Sequence, residues 1–208
     1  MVAFQRSSAA DLDASVTQRL GDIVDRAAVF DAIDGADAVI HLAAKVGVVG
    51  DRADYAAINV DGTINVLDAC RMHGVTKVVN VSSPSVAHAG TAIVGGGADP
   101  ALVAHGNGWY SETKAIAERA ALAVNTSSMG VVVIRPHLVW GPGDTQLVGR
   151  IAERAAAGRR ALVGGGTALI DTTYIDNAAS SLVAALDAVR PGAPSAGRTY
   201  VVANGDPR

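Results

Sequence analysis

A phenol and an ammonium stand four residues apart in the segment Tyr110-Ser111-Glu112-Thr113-Lys114. Residues four apart lie on one face of a helix, so the two side chains are predicted to point into one pocket. A nearby cation stabilises a phenolate. We therefore expect Lys114 to lower the pKa of Tyr110 toward the range that is useful for proton transfer.

Hydroxyl groups end the apolar run that precedes this segment. Ser82 and Ser83 come directly after Val78-Val79-Asn80-Val81, which is typical of a buried strand. Open α/β sheets bind ligands at the carboxyl ends of their strands. A tyrosine and a lysine at this spacing also occur by chance as solvated surface pairs. The order of hydroxyl-tipped strand, long loop, Tyr/Lys helix and second buried strand at 131–134 favours a functional site instead.

The composition predicts one globular domain over residues 1–208. Half of the residues are apolar and 18% are charged, which suits a buried parallel sheet flanked by helices and not a disordered chain. The net charge is −3, with no basic block that would bind nucleic acid. No apolar run approaches the roughly 20 residues that span a bilayer. We therefore expect a soluble cytoplasmic protein with no membrane span.

The cysteine and histidine residues give no sign of a disulfide or a metal site. Cys70 is the only cysteine and lies in an apolar helical stretch, where a small buried hydrophobe is the expected role. His88, His105 and His137 do not have the spacing of metal ligands. We predict no metal.

Strands and helices alternate along the predicted chain, which indicates an α/β fold with a doubly wound parallel sheet. Strands are predicted at 2–4, 38–42, 77–81, 131–134, 161–163 and 199–202. Helices are predicted at 26–33, 54–72, 110–125, 146–157 and 176–189, the last with Asp176 as its N-cap. The long segment 84–108 has no clear period, and we interpret it as part of a substrate mouth, with a disordered insertion as the alternative.

These segments together resemble the extended branch of the short-chain dehydrogenase/reductase superfamily, also described as the NAD-dependent epimerase/dehydratase superfamily. The resemblance covers nearly the whole chain. It is narrower to the 3β-hydroxysteroid dehydrogenase group and, within that group, to the 2-alkyl-3-oxoalkanoate reductases. The segments that carry it are His41-Leu42-Ala43-Ala44, Asn59-Val60-Asp61-Gly62-Thr63, Ser82-Ser83-Pro84-Ser85-Val86, Arg135-Pro136, Trp140-Gly141-Pro142-Gly143-Asp144 and Asp171-Thr172-Thr173-Tyr174-Ile175-Asp176.

The resemblance implies catalytic roles for Ser83, Tyr110 and Lys114. Tyr110 would donate a proton to the nascent alkoxide, and Lys114 would hold the nicotinamide ribose. Ser83 would hydrogen-bond the substrate oxygen and is preferred over Ser82 by its place in Ser-Ser-x-x-Val. Ser85 is a further candidate for the same pocket, and hydrogen bonding to the backbone is the alternative for Ser82 and Ser85.

The resemblance also implies a nicotinamide cofactor. An arginine near the end of the second family strand accommodates a 2′-phosphate, so Arg6 favours NADP(H), with NAD(H) as the alternative. Asp22 and Ile23 resemble the adenine contacts. The further expected contacts are Ala43 and Ala44, Asn59 as their support, Tyr110 and Lys114, and Pro136 and His137 beside the nicotinamide.

No glycine-rich G-x-G-x-x-G turn precedes a helix in this sequence. By the resemblance, the first strand of the Rossmann-like sheet and its turn are lacking, and a C-terminal substrate portion would lie beyond residue 208. We therefore interpret the chain as an internal piece of a longer enzyme, with residues 140–176 on the substrate side. An unpaired sheet edge and weak cofactor affinity are expected.

Three functions remain open at this level. The favoured one is an NAD(P)-dependent oxidoreductase that interconverts a hydroxyl and a ketone on a hydrophobic 3-hydroxy/3-oxo acid or a sterol-like substrate. The second is a sugar-nucleotide epimerase or dehydratase, although residues 84–108 contain no lysine or arginine for a diphosphate. The third is an inactive fragment that cannot hold cofactor. Enzymes of this kind often form homodimers through their long helices.

Overall fold

The computed structural model of the protein describes residues 1–47, 49–90, 92–103, 108–144, 148–159, 166–167 and 169–205. The strands are β1 (Val2–Gln5), β2 (Thr17–Leu20), β3 (Ala38–His41), β4 (Lys77–Val81), β5 (Gly130–Pro136), β6 (Val139–Trp140), β7 (Thr173–Tyr174) and β8 (Arg198–Val202). The α-helices are α1 (Arg26–Ile33), α2 (Arg52–Tyr55), α3 (Gly62–Met72), α4 (Trp109–Ala123), α5 (Val148–Ala156) and α6 (Ile175–Ala188). A π-helical turn (Ala56–Asp61) joins α2 to α3, and a 3-10 turn (Pro84–Ala87) follows β4.

The main sheet has four parallel strands in the order β3-β4-β5-β8. Its centre is made by the valine-rich strands β4 and β5. Val78, Val131 and Val133 pack beneath α1, α3 and α4, while Val79 and Val132 pack against α6 on the opposite face. Helices cover both faces of a parallel sheet, so the prediction of a doubly wound, Rossmann-like α/β fold is confirmed.

Strands β1 and β2 form a separate parallel pair. Within the described part of the chain, no ladder joins this pair to β3, so β3 is an edge of the main sheet. The edge leaves Ala38, Val39 and Ile40 only half-buried. Phe4 of β1 and Val39 of β3 nevertheless pack into one core cluster. The expected unpaired sheet edge is therefore present at β3, although β1 packs into the same core as β3.

The predicted elements at 26–33, 77–81, 131–134 and 199–202 agree with the structure to within a few residues. The short strand β2 was not predicted, because Thr17-Gln18-Arg19-Leu20 has no apolar run and only its pairing with β1 makes it a strand. The N-cap assignment of Asp176 is wrong. Tyr174 caps α6, and Asp176 lies in the first turn, where its charge suits the helix dipole. The predicted strand at 161–163 lies outside the described residues.

The segment between β4 and α4 is anchored to the rest of the fold. Ala101 is buried in a small cluster with Val86 and Ala115, and the Leu102 N–H donates to the Val86 carbonyl at 2.7 Å. The Arg119 guanidinium donates two hydrogen bonds to the Ala101 carbonyl, at 3.0 and 2.6 Å. This part of the segment is therefore packed, and the alternative of a disordered insertion is wrong there.

Candidate active site

The site forms where β4 ends and the first turns of α4 pass over it. The Ser83 hydroxyl lies beside the phenol of Tyr110 and acts on its pKa. The Lys114 ammonium donates a hydrogen bond at 2.6 Å to the carbonyl of Val81, which is the last residue of β4. The structure thus brings Ser83, Tyr110 and Lys114 together at the carboxyl end of one central strand, as their positions in the sequence predicted.

The three serines after β4 have different surroundings. The Ser83 Oγ accepts a hydrogen bond from the Ser85 N–H at 3.3 Å and lies 3.0 Å from the Ser85 Oγ. Tyr110, Ser83 and Ser85 therefore form a chain of hydroxyls. The Ser82 Oγ is buried and has no hydrogen-bond partner among the described residues. Ser82 is not part of the hydroxyl chain, and Ser85 belongs to it.

The pKa of Tyr110 is raised and not lowered, which contradicts the expectation drawn from the sequence. Burial of the phenol is the main cause, and the hydrogen bond from Ser83 opposes it. Lys114 is itself buried, and burial lowers its pKa to about 8, against the opposing charge of Glu118. The four-residue spacing did not predict the direction of this shift, because removal of the phenol from water dominates it. Tyr110 is a neutral phenol at pH 7, which is the form that donates a proton.

Asn59 fastens the end of β3 to the helices. Its Oδ1 accepts from the Lys45 N–H at 2.7 Å, and its Nδ2 donates to the Lys45 carbonyl at 3.1 Å and to the Thr113 Oγ1 at 3.0 Å. Asn59 lies in the π-helical turn, and such turns are frequent at functional sites. The segment with Ala43 and Ala44 is therefore held in register with α4, which carries Tyr110.

His41 is a buried residue of this site to which the sequence gave no role of its own. Thr63 Oγ1 donates to the Asn59 carbonyl at 2.6 Å and lies 2.9 Å from His41 Nε2. Because the single Thr63 proton is already used, His41 Nε2–H is the donor to Thr63. Burial, and secondly the charge of Lys114, lower the pKa of His41 to about 3. His41 is a neutral structural link between β3 and α3.

His41→Asn is expected to make the protein less sensitive to acid. The unfolded chain takes up a proton below the ordinary pKa of 6.5, whereas the native His41 stays neutral down to about pH 3. The free energy of unfolding therefore falls as the pH drops through this window. Between about pH 7.5 and about pH 5, His41 alone accounts for about 2 kcal/mol of that fall.

Urea denaturation of the wild type and His41→Asn at the two pH values measures this difference. The variant should lose less stability on acidification. His88→Asn, which replaces an exposed histidine, should keep the wild-type dependence. Equal losses in the wild type and His41→Asn would contradict the assignment of a buried neutral imidazole.

Most of the predicted cofactor contacts lie at the carboxyl ends of the parallel strands. Arg6 is exposed directly after β1, and Ala43 is exposed after β3. Asp22 follows β2, and its Oδ1 accepts from the Val24 N–H at 3.1 Å. Pro136 ends β5, and the His137 N–H donates to the Val202 carbonyl at 2.8 Å. Parallel strands place all of these positions at their carboxyl ends.

Ile23 differs from the other predicted contacts. Its side chain is 7% exposed and packs against Gly62, where a Cβ would come within 2.7 Å of it. Its carbonyl accepts a hydrogen bond from Asn65 Nδ2 at 3.1 Å. The Ile23 side chain therefore belongs to the core.

A cluster of metal ligands and a membrane-spanning helix are both absent among the described residues. No three His, Cys, Asp or Glu side chains in the described ranges lie together as metal ligands would. No helix formed by these residues has the length and apolar character of a membrane span.

Two known reductases are similar to this chain along its whole length. The 2-alkyl-3-oxoalkanoate reductase of Stenotrophomonas maltophilia is 48% identical to this chain, over 100% of the chain and 64% of that protein. The enzyme of the same name from Shewanella oneidensis is 38% identical, over 100% of the chain and 56% of that protein. The chain thus spans less than two thirds of the length of these relatives.

The fold also matches solved enzymes that bind a dinucleotide. The structure of MoeE5 in complex with UDP-glucuronic acid and NAD superposes with a TM-score of 0.82 at 26% identity, covering 100% of this chain and 69% of that one. The sequence model of the 3-beta hydroxysteroid dehydrogenase/isomerase family matches residues 4–208. With this match over nearly the whole chain, the protein belongs to the 3-beta hydroxysteroid dehydrogenase/isomerase family.

Proposed function

We propose that this chain carries the active site of a nicotinamide-dependent oxidoreductase that interconverts a ketone and a hydroxyl on a hydrophobic 3-oxo acid. The observation that carries the proposal is the meeting of Ser83, Tyr110 and Lys114 at the carboxyl end of β4. A neutral phenol, a hydroxyl donor and a buried ammonium are the groups that carbonyl reduction needs around one oxygen atom.

The chain's own residues have separate roles in reduction. Tyr110 transfers its phenolic proton to the substrate oxygen as the carbonyl carbon is reduced. Ser83 donates a hydrogen bond to the same oxygen and stabilises its developing negative charge. The Ser85 N–H fixes the Ser83 Oγ. Lys114 provides a positive charge below the site, held by the Val81 carbonyl.

The carboxyl ends of the strands fit a nicotinamide dinucleotide, which would supply the hydride. Ala43 and Ala44 offer small side chains at the end of β3, so a ligand can approach the backbone that Asn59 holds. Arg6 is exposed at the end of β1 and suits a 2′-phosphate, and Asp22 at the end of β2 offers a carboxylate to an adenine amine. NADP(H) is therefore the proposed cofactor.

A hydrophobic 3-oxo acid is supported over other substrates by the relatives and by the surface. Both reductases described above are named for 2-alkyl-3-oxoalkanoates. Exposed side chains between residues 138 and 176 offer apolar surface to an alkyl chain. They are Leu138, Trp140, Ile170 and Ile175. The sugar-nucleotide alternative has less support, because MoeE5, whose structure holds UDP-glucuronic acid and NAD, is only 26% identical to this chain.

The test uses the grafted reductase, which we define as the Stenotrophomonas enzyme with this chain in place of its matching residues. It should reduce a 2-alkyl-3-oxoalkanoate with consumption of the reduced nicotinamide, followed by the cofactor's absorbance. A graft that folds and binds cofactor but does not reduce this substrate would contradict the proposed function, and reduction of a 3-oxosteroid in its place would favour the sterol-like substrate.

The grafted reductase should prefer NADPH to NADH. We expect Arg6→Ala to lower kcat/KM for NADPH by about tenfold or more, because a charge-assisted hydrogen bond to the 2′-phosphate contributes about 1.5–3 kcal/mol. The value for NADH should change little. Arg71→Ala, an exposed arginine on α3, is the matched control. A clear NADH preference in the unaltered graft would overturn the role given to Arg6.

A further inference from the structure

Four buried side-chain atoms on β4, β5 and the residue after β4 have no hydrogen-bond partner among the described residues. They are Asn80 Oδ1, Asn80 Nδ2, Ser82 Oγ and Arg135 Nη1. Asn80 and Arg135 are each 1% exposed, and Ser82 is 5% exposed. A buried polar group that is left unsatisfied costs about 1–3 kcal/mol. Four such atoms in one part of the core therefore require a physical explanation.

The strand register places these atoms on one face of the sheet. Val78 packs beneath α3 and α4, and alternation along the strand puts Asn80 and Ser82 on the same face. On β5, Val131, Val133 and Arg135 alternate in the same way, and Arg135 reaches Glu118 of α4. Asn80 pairs with Val133, and the Ser82 N–H continues the ladder to the Ile134 carbonyl, so Ser82 lies beside Arg135.

The Lys114 side chain reaches the same part of β4. Its ammonium donates to the Val81 carbonyl, in the residue between Asn80 and Ser82. His41, whose pKa responds to the charge of Lys114, pairs with Asn80 across β3 and β4. An ammonium has three N–H donors, and Lys114 is 4% exposed. The amide oxygen of Asn80 has no partner among the described residues, and it belongs to the residue next to Val81, whose carbonyl Lys114 contacts.

We propose that Asn80 and Ser82 form a buried water site beneath Lys114, in which bound water bridges the ammonium to both side chains. Buried waters occur about once per 27 residues and typically make about three hydrogen bonds to polar groups that would otherwise be unsatisfied. Valine would fit the strand at position 80 as it does at 78, 79 and 81, and an unpartnered asparagine there is costly without water. Asn80 is thus a positioning residue that acts through Lys114.

The inference rests on the proposed function for its catalytic meaning, because Lys114 is one of the three residues assigned there to the active site. The other charged or titratable groups around Lys114 are Tyr110 and Glu118 on α4, His41 on β3 and Arg135 on β5, which is paired with Glu118. Replacing Asn80 by leucine leaves all of these charges in place, so a change in the Lys114 pKa reports on what the Asn80 side chain contributes, and the bound water is detected separately.

The experiment measures the pKa of Lys114 by NMR in this chain, with ¹³C- and ¹⁵N-labelled lysine. The sequence has only three lysines, Lys45, Lys77 and Lys114, so their signals are easily assigned. Burial lowers the pKa of Lys114 to about 8 in the wild type. Asn80→Leu should lower it further by about one unit, a tenfold loss of proton affinity, because the charged form loses its bridging water. Asn80→Asp should raise it.

Val79→Ala is the matched control, because it disturbs the same strand on the face that packs against α6. It should leave the Lys114 titration unchanged. In the wild type, the Asn80 side-chain amide protons should also show cross-relaxation with a long-lived bound water. That measurement decides the matter if Asn80→Leu does not fold.

An unchanged Lys114 pKa in Asn80→Leu, or an Asn80 amide with no contact to water, would overturn the inference. Neither readout uses turnover. A failure to reduce ketones would therefore contradict the proposed function and leave the water site intact, and the loss of the water site would leave the proposed reaction intact.

Discussion

Replacing Tyr110 by phenylalanine should lower turnover of the grafted reductase by about a hundredfold or more. General acid catalysis typically contributes about 10²–10⁴-fold, and Tyr110 is the phenol that meets Ser83 at the end of β4. KM should change little, because the lost interaction is made mainly in the transition state. Steady-state kinetics with a 2-alkyl-3-oxoalkanoate measure both parameters.

Tyr200→Phe is the control for this experiment. Tyr200 is 45% exposed on the edge strand β8, and removal of its hydroxyl should leave turnover unchanged. Turnover in Tyr110→Phe equal to that of the parent graft would exclude Tyr110 as the proton donor. The same loss in Tyr200→Phe would show that the effect comes from the fold and not from the site.

Replacing Arg135 by methionine should give the largest loss of stability among single substitutions considered for this chain. Arg135 and Glu118 are each 1% exposed, and the guanidinium bonds both carboxylate oxygens, at 2.9 and 2.5 Å. Breaking a buried pair strands a charge in the core, which costs about 3–5 kcal/mol. Urea denaturation near neutral pH measures the free energy of unfolding.

A double variant separates the stranded charge from lost packing. Glu118→Leu combined with Arg135→Met removes both charges and should regain most of the stability that Arg135→Met loses. Arg71→Met breaks an exposed pair with Asp68 and should cost less than about 1 kcal/mol. A comparably small cost for Arg135→Met would contradict the view that this pair holds α4 to β5.

The parts of the fold that could be predicted are those with a strong local signal. The valine runs of β4 and β5 predicted central strands, because only a strand buried on both faces is apolar at successive positions. The strand β2 could not be found in this way, since its sequence is polar and its conformation comes from pairing with β1. Asp176 was misplaced for a different reason, because its residue type suits an N-cap although the chain enters α6 at Tyr174.

The catalytic candidates were predictable because spacing on one helix and one strand end determines where side chains meet. The Tyr110/Lys114 pair and the serines after β4 follow from that rule, whereas the resemblance to a known family singled out Ser83 over Ser82. The direction of the Tyr110 pKa shift does not, because it depends on how much water the fold removes from the phenol. The π-helical turn that carries Asn59 could not be predicted either, because its residues show the same sequence pattern as an ordinary α-helix.

The central claim is that this site moves a hydride between a nicotinamide and the carbonyl carbon of a 3-oxo acid. The most direct test supplies the grafted reductase with NADPH deuterated on the transferring face of C4 and analyses the product by mass spectrometry. One deuterium should appear on carbon 3 of the hydroxy acid, with the cofactor oxidised in equal amount. Product without deuterium from either C4-deuterated epimer of NADPH, or oxidation of the cofactor with no hydroxy acid formed, would contradict the claim.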